Sequence, residues 1–136
     1  MDKVNINKLF HCTYSLSYHF VFVTKYRRAC LTAELLERLK VIVTDLVSGY
    51  GRVVELNGEA DHVHLLLELN PKAAPSVVAN SLKTVTSRLL RRDFGSHLAT
   101  FYQKPVLWSR SYFVSTAGGA PLSVIKQYIE AQQRPE

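Results

Sequence analysis

The residues best placed to do chemistry stand together as Asp61-His62-Val63-His64. The Leu65-Leu66-Leu67-Glu68-Leu69 run behind them predicts a strand rather than a helix. Side chains alternate along a strand, so His62 and His64 share one face while Val63, Leu65, Leu67 and Leu69 line the other. Two imidazoles held two residues apart on a stiff backbone make two legs of a divalent-metal site. The bland alternative is a pair of half-buried histidines satisfied by backbone groups. A metal reading needs a third ligand from elsewhere in the chain.

The C-terminal segment offers one. Tyr128 and Gln132 are four apart, so on a helix they lie on one face, a turn from each other. A glutamine carbonyl can ligate a cation, and two imidazole nitrogens plus an amide oxygen suit Mg²⁺ or Mn²⁺ better than structural zinc. Taken alone, Tyr128 reads as a phenol packed at a helix edge. There is no Gly-x-x-x-x-Gly-Lys-Ser/Thr loop, no Gly-x-Gly-x-x-Gly and no Gly-x-Ser-x-Gly elbow, which argues against ATP use, dinucleotide binding and serine hydrolysis.

These side chains need elements to hold them. Residues 1–13 read as a loose lead-in and 16–26 as a long strand with His19, Val21 and Val23 on one face and Tyr18, Phe20 and Phe22 on the other. Thr32 is a plausible N-cap, with Glu34 in the first turn, for a helix carrying Leu35, Leu39, Ile42, Val43 and Leu46 and ending at Gly49 and Gly51. Residues 52–57 predict a strand paired as a hairpin with the histidine strand through Gly58-Glu59-Ala60. A second helix over 75–92 buries Val78, Leu82, Val85 and Leu89, a strand follows over 105–115, Gly118-Gly119-Ala120-Pro121 breaks the chain, and a last helix covers 121–133. That order is the ferredoxin-like (RRM-like) α+β arrangement, an antiparallel sheet with packed helices, plus an extra C-terminal helix.

The chain of 136 residues is of one-domain size, and its 47% hydrophobic content is that of a globular protein. No apolar run is long enough to span a membrane, the start lacks a signal-peptide layout, and Cys12 and Cys30 form no disulfide or zinc pattern. A reducing cytoplasm is the expected compartment. A net charge of +6, from 17 basic against 11 acidic residues, favours an anionic partner such as nucleic acid. Lys83, Arg88, Arg91, Arg92, Arg27, Arg28 and Arg110 could track a DNA backbone or simply be solvated. Trp108, Tyr112 and Phe113 could stack bases, with core packing the favoured reading, and His19 reads as structural.

Over nearly its whole length the chain resembles the single-tyrosine HUH transposases (TnpA-like, IS200-like) of insertion sequences that move as single-stranded DNA. The matching motifs are the YHFVFVTKYR strand at Tyr18–Arg27, Asp61–His64, the Trp-Ser-Arg-x-Tyr-Phe-Val segment at Trp108–Val114, the Gly118-Gly119 pair as a hinge, and Tyr-Ile-Glu-x-Gln at Tyr128–Gln132. The resemblance implies that Tyr128 is the nucleophile, that His62, His64 and Gln132 hold Mg²⁺ or Mn²⁺, and that the product is a 5′-phosphotyrosine with a free 3′-OH. It implies one HUH domain over 1–136 whose C-terminal helix, 117–136, is mobile, DNA hairpins at element ends as substrate, and a homodimer sharing its active sites, with no ATP and no membrane. Asp61 would orient an imidazole, although on a regular strand its side chain would point away from His62.

A domesticated relative processing repeated palindromes, or a replication or relaxase nickase, would use the same chemistry. A non-catalytic ferredoxin-like nucleic-acid-binding domain is the alternative of another class. Sheets of that kind present aromatics on the strand where this one presents histidines, which counts against it.

Overall fold

In the computed structural model, residues 7–9, 12–119 and 121–132 are described, with side chains from residue 12 onward. The segment expected to be a loose lead-in contains a small hairpin, β1 (Asn7–Leu9) with β2 (Cys12–Tyr14), paired antiparallel. The rest of that lead-in, His11, Ala120 of the Gly-Gly break and the predicted end of the last helix at 133 lie outside the described residues.

The main sheet has four strands, β3 (Ser17–Val23), β4 (Gly51–Gly58), β5 (His62–Leu69) and β6 (Phe113–Thr116), in the spatial order β4-β5-β3-β6 with every pair antiparallel. Helix α1 (Ala33–Val47) crosses from β3 to β4, and α2 (Pro75–Asp93) leads from β5 toward β6. This is the expected ferredoxin-like order. Thr32 caps α1 as anticipated, its Oγ1 accepting from the Leu35 amide at 3.1 Å. The β4–β5 hairpin closes with the Glu59 amide donating to the His62 carbonyl at 2.9 Å.

One face of the sheet is the core. Phe20, Phe22, Val63, Leu65 and Leu67 meet Leu35, Leu39 and Val43 of α1 and Val78, Leu82 and Leu90 of α2, all buried. The opposite face carries Val21 and Val23, buried beneath Ile125 and Ile129 of α4 (Leu122–Ala131). Because both faces of β3 are covered, its sequence is apolar on both sides rather than cleanly alternating.

Three expectations are corrected. The first strand stops at Val23, and the chain turns sharply over Lys25–Arg27, where Tyr26 and Arg27 both take left-handed backbone angles, φ 59° and 54°. The strand expected over 105–115 is real only at Phe113–Thr116. Residues before it are irregular, apart from a bridge of Trp108 to Thr24. That stretch is apolar because it packs on α2, not because it pairs: Trp108 is buried against Phe22 and its Nε1 donates to Thr86 Oγ1 at 2.9 Å. A short helix, α3 (Gly95–Ala99), was not anticipated; it seats His97, whose ring nitrogen meets the Cys30 carbonyl at 2.8 Å.

Candidate active site

β5 lies between β4 and β3 and is hydrogen-bonded on both sides, so the two histidines sit on a firmly held backbone. His62 and His64 do share a face, with ring centroids 5.0 Å apart at 80°. Each Nδ1 is engaged. His62 Nδ1 meets Asp61 Oδ1 at 2.8 Å, and His64 Nδ1 meets His19 Nε2 at 3.2 Å. Asp61 can turn to the histidine face because it precedes the strand and escapes its pleat, which overturns the expectation that it points away. Arg27 braces it from behind, Nε to Asp61 Oδ2 at 3.4 Å with both side chains largely buried.

His19 reaches His64 because Val21 is the register partner of His64, which makes residue 19 a same-face diagonal neighbour. The rings stack at 5.3 Å. Burial lowers the affinity of His64 for a proton, helped by the charges of His62 and His19, and burial lowers that of His19 against the pull of Glu55. Both shifts favour the neutral ring, the form that ligates metals. A neutral imidazole whose Nδ1–H is held by a partner presents Nε2 as its lone pair, so the donor chemistry fits a divalent cation. Among the described residues no three His, Cys, Asp or Glu side chains converge as a metal site.

Tyr128 and Gln132 lie on one face at the end of α4, as their spacing requires. Tyr128 packs on Phe113, ring centroids 5.6 Å apart. Its hydroxyl meets Ser111 Oγ at 2.6 Å, and Gln132 Oε1 accepts from Ser109 Oγ at 3.1 Å and Ser111 Oγ at 3.3 Å. A consistent proton order is Tyr128 to Ser111 to Gln132. Burial raises the Tyr128 phenol above its usual range, with the Ser111 bond opposing. His64 and Phe113 are the β5 and β6 partners of Val21. Two strand spacings, about 10 Å, therefore separate the histidine column from the column on which Tyr128 rests. The structure brings Tyr128 and the histidines to one face of the sheet but seats Tyr128 and Gln132 on the serine loop.

The basic residues divide. α2 packs on the core face, so Arg88, Arg91 and Arg92 lie behind the sheet from the histidines; Arg91 Nε donates to Ser87 Oγ and Arg92 Nε to Asp93 Oδ1. Lys83 reaches forward, its Nζ donating to the carbonyls of Arg110 and Ser111 at 3.0 Å each. Burial, then the charge of Lys25, push its ammonium down to about 8. Arg110 lines clefts beside Tyr26 and Gln132. Gly118 at φ 78° takes a backbone angle few side chains accept, and a Cβ on Gly119 would collide with Thr116 Oγ1. Sequence reasoning gave no role to Ser109 and Ser111, although both lie inside the Trp108–Val114 segment it singled out. It undervalued His19, whose place on the Val21–Val23 face was legible, and it gave no weight to Tyr26.

The chain was compared with known proteins. The profile of the family described as "Transposase IS200 like" matches residues 12–132. The transposase for insertion sequence element IS200 of Salmonella typhimurium is 34% identical over 125 residues, 91% of this chain and 81% of that protein. The ISDra2 transposase TnpA of Deinococcus radiodurans is 32% identical over 126 residues, covering 90% and 88%. Among solved structures, a Deinococcus radiodurans protein assigned as a transposase superposes with TM-score 0.83 at 32% identity over 95% of this chain and 99% of that one. The REP-associated tyrosine transposase bound to a REP hairpin superposes with TM-score 0.55 at 10% identity, over 97% and 70%, a likeness of fold alone.

Proposed function

The chain belongs to the IS200-like transposase family and is a DNA transposase, and from that premise we propose how its own residues carry the reaction. Tyr128 Oη attacks the scissile phosphate of a single DNA strand. The new bond is Tyr128 Oη to phosphorus, the P–O3′ bond breaks, the phenol gives up its proton, and the 3′-oxygen leaves as a hydroxyl. The product is a 5′-phosphotyrosine, which keeps the phosphodiester energy for rejoining to another 3′-OH without ATP.

His62, His64 and the Gln132 carbonyl would hold Mg²⁺ or Mn²⁺, and such a cation would supply Lewis-acid withdrawal of charge from the phosphate oxygens. Asp61 and His19 fix the two rings from behind. Ser111 holds the phenol proton while Tyr128 is seated away from the histidines. The C-terminal helix then turns about Gly118-Gly119, and the same hinge lets it serve a partner's histidines in a homodimer. The substrate is a hairpin-bearing end of a mobile element, met in the cytoplasm. Among the described residues no helix is long and apolar enough to cross a membrane.

The observation that carries this reading is the matched support of the two histidines, each Nδ1 engaged at 2.8 and 3.2 Å, on the face that also seats Tyr128. The test is a denaturing gel of the protein with labelled single-stranded element ends and Mg²⁺ or Mn²⁺. A covalent protein–DNA adduct is expected, absent with Tyr128→Phe and in EDTA. Adducts that persist in either control overturn the nucleophile or the cation, and no adduct with any end hairpin favours a binding domain.

A further inference from the structure

The turn after β3 is held far more firmly than a surface loop needs. Thr24, fully buried, donates its amide to the Asp61 carbonyl at 2.9 Å, and its Oγ1 donates to the Arg28 carbonyl at 2.7 Å. The Lys25 amide donates to the Leu107 carbonyl at 2.7 Å, and Tyr102 Oη donates to the Lys25 carbonyl at 2.7 Å. These bonds impose left-handed angles on two consecutive non-glycine residues, Tyr26 and Arg27. Side chains rarely adopt such angles, and where they persist the surroundings over-determine them. The consequence is a divided turn: Arg27 folds back on Asp61, while Tyr26 stands 45% exposed.

Tyr26 lines three adjoining clefts. One, of about 550 Å³, reaches His62. Another, of about 290 Å³, reaches Ser111 and Gln132. The third, of about 500 Å³, is lined by Lys25, Arg28, Lys104 and Arg110 with no carboxylate. An exposed aromatic ring beside four cations is the pattern that takes unpaired nucleotides, the base stacking on the ring and the backbone phosphates lying on the charges. Lys25 Nζ already lies 5.3 Å from the ring centroid, so a phosphate there would meet a cation held at the stacking platform.

We propose that Tyr26 is the stacking platform for an unpaired nucleotide of the DNA strand beside the scissile phosphate, with the strand continuing through the cleft lined by Lys25, Arg28, Lys104 and Arg110. This rests on the single-strand cleavage reading above. It adds a recognition site between the two halves of the active site, on the path from the histidines to the serine loop. The strained turn keeps the ring presented before DNA arrives.

Binding can be read without chemistry, in Tyr128→Phe protein in EDTA. The probes are a short single-stranded oligonucleotide of mixed sequence carrying one 2-aminopurine and a fully paired hairpin. Tyr26→Ala should weaken single-strand binding roughly 5- to 150-fold, the range base–aromatic stacking supplies, and abolish the quenching of 2-aminopurine. Tyr26→Trp should retain both, and hairpin binding should stay within about 2-fold. Tyr26→Asn, better suited to positive φ, should weaken single-strand binding as Ala does while raising the melting temperature, an outcome a purely structural tyrosine would reverse. Arg28→Gln with Lys104→Gln should lower the salt dependence of binding by about two phosphate contacts. Unchanged single-strand affinity and quenching in folded Tyr26→Ala overturns the platform. If the wild-type protein still forms its covalent adduct, that failure leaves the cleavage reading standing; absence of adduct with normal stacking overturns the cleavage reading instead.

Discussion

The two halves of the active site are built to different standards. The histidines stand on β5, laddered on both edges, with Asp61 behind one ring and His19 behind the other. Tyr128 stands on α4, whose N-terminus at Pro121 has no side-chain cap and which buries only Ile125 and Ile129. Leu122 is 77% exposed and Val124 41%. Two buried isoleucines supply on the order of 3–6 kcal/mol before the cost of ordering the segment, which is little for ten residues. The lesson is a division of labour. On the proposed function, a cation site has to be fixed before substrate arrives, whereas a nucleophile that stays covalently attached to one DNA end has to travel with it, so it belongs on the part of the fold that leaves cheaply.

The sharpest break of this comparison removes chemistry from one half only. Tyr128→Phe should reduce adduct formation at least about 10⁴-fold, while Mn²⁺ binding followed by calorimetry or electron paramagnetic resonance stays as in the wild type. His64→Ala should abolish Mn²⁺ binding and adduct together. Next in size are the supports. Asp61→Asn or His19→Leu should each weaken Mn²⁺ binding by roughly 10- to 100-fold, and His19→Gln, able to accept the His64 Nδ1–H, should recover part of that loss. If His19→Leu binds Mn²⁺ as the wild type does, the histidine half is less constrained than the geometry implies.

Unequal stability can be tested directly. Leu65→Ala, in the main core, should cost about 2–5 kcal/mol of global stability by denaturant unfolding. Ile129→Ala removes comparable bulk but acts on a segment that can detach by itself. Its melting temperature should therefore move little, while amide protection over residues 122–131 collapses and the Ser111–Tyr128 contact loses population. Equal global losses in the two variants would show α4 to be part of the cooperative core and would remove the case for a delivered nucleophile. Gly118→Ala, forced to keep φ 78°, should cost about 1 kcal/mol and slow adduct formation without touching Mn²⁺ affinity.

Much of this contrast was legible in the sequence because it rests on periodicity. Alternation put His62 and His64 on one face, four-residue spacing paired Tyr128 with Gln132, and the Gly118-Gly119 break marked a joint. What the sequence hid depends on contacts between distant segments. The run 105–115 is as apolar as a strand, but its partners are α2 and β3 rather than a ladder, and local pattern cannot distinguish burial by packing from burial by pairing. Asp61 was misjudged by assuming a pleat one residue beyond where the strand begins. Tyr26 looked like the end of a strand because nothing in TKYRR announces left-handed backbone at two bulky residues; only the bonds from Thr24, Lys25 and Tyr102 impose it.

The smallest effect concerns the residue that holds the serine loop. Lys83 leaves α2 to donate to the Arg110 and Ser111 carbonyls, holding the loop on which Tyr128 is seated. Burial lowers its pKa from 10.5 to about 8. Between those values the unfolded chain binds a proton that the folded chain does not, so the contribution of Lys83 to stability should rise with pH from about 8 to 10.5. The ammonium is half exposed, so the change amounts to roughly 1 kcal/mol once solvent screening is allowed for. Melting temperatures taken across that range should rise more steeply for the wild type than for Lys83→Met, with the two curves converging at high pH. In the same variant the loop loses its two donors, and Tyr128 should leave Ser111 more readily. Adduct formation at pH 7.5 should then rise slightly, by about 2-fold if one hydrogen bond of ordinary strength is shared between seated and delivered states. A slower reaction in Lys83→Met would mean instead that the serine loop positions Tyr128 for attack rather than holding it back, and the two halves of the site would have to be regarded as one.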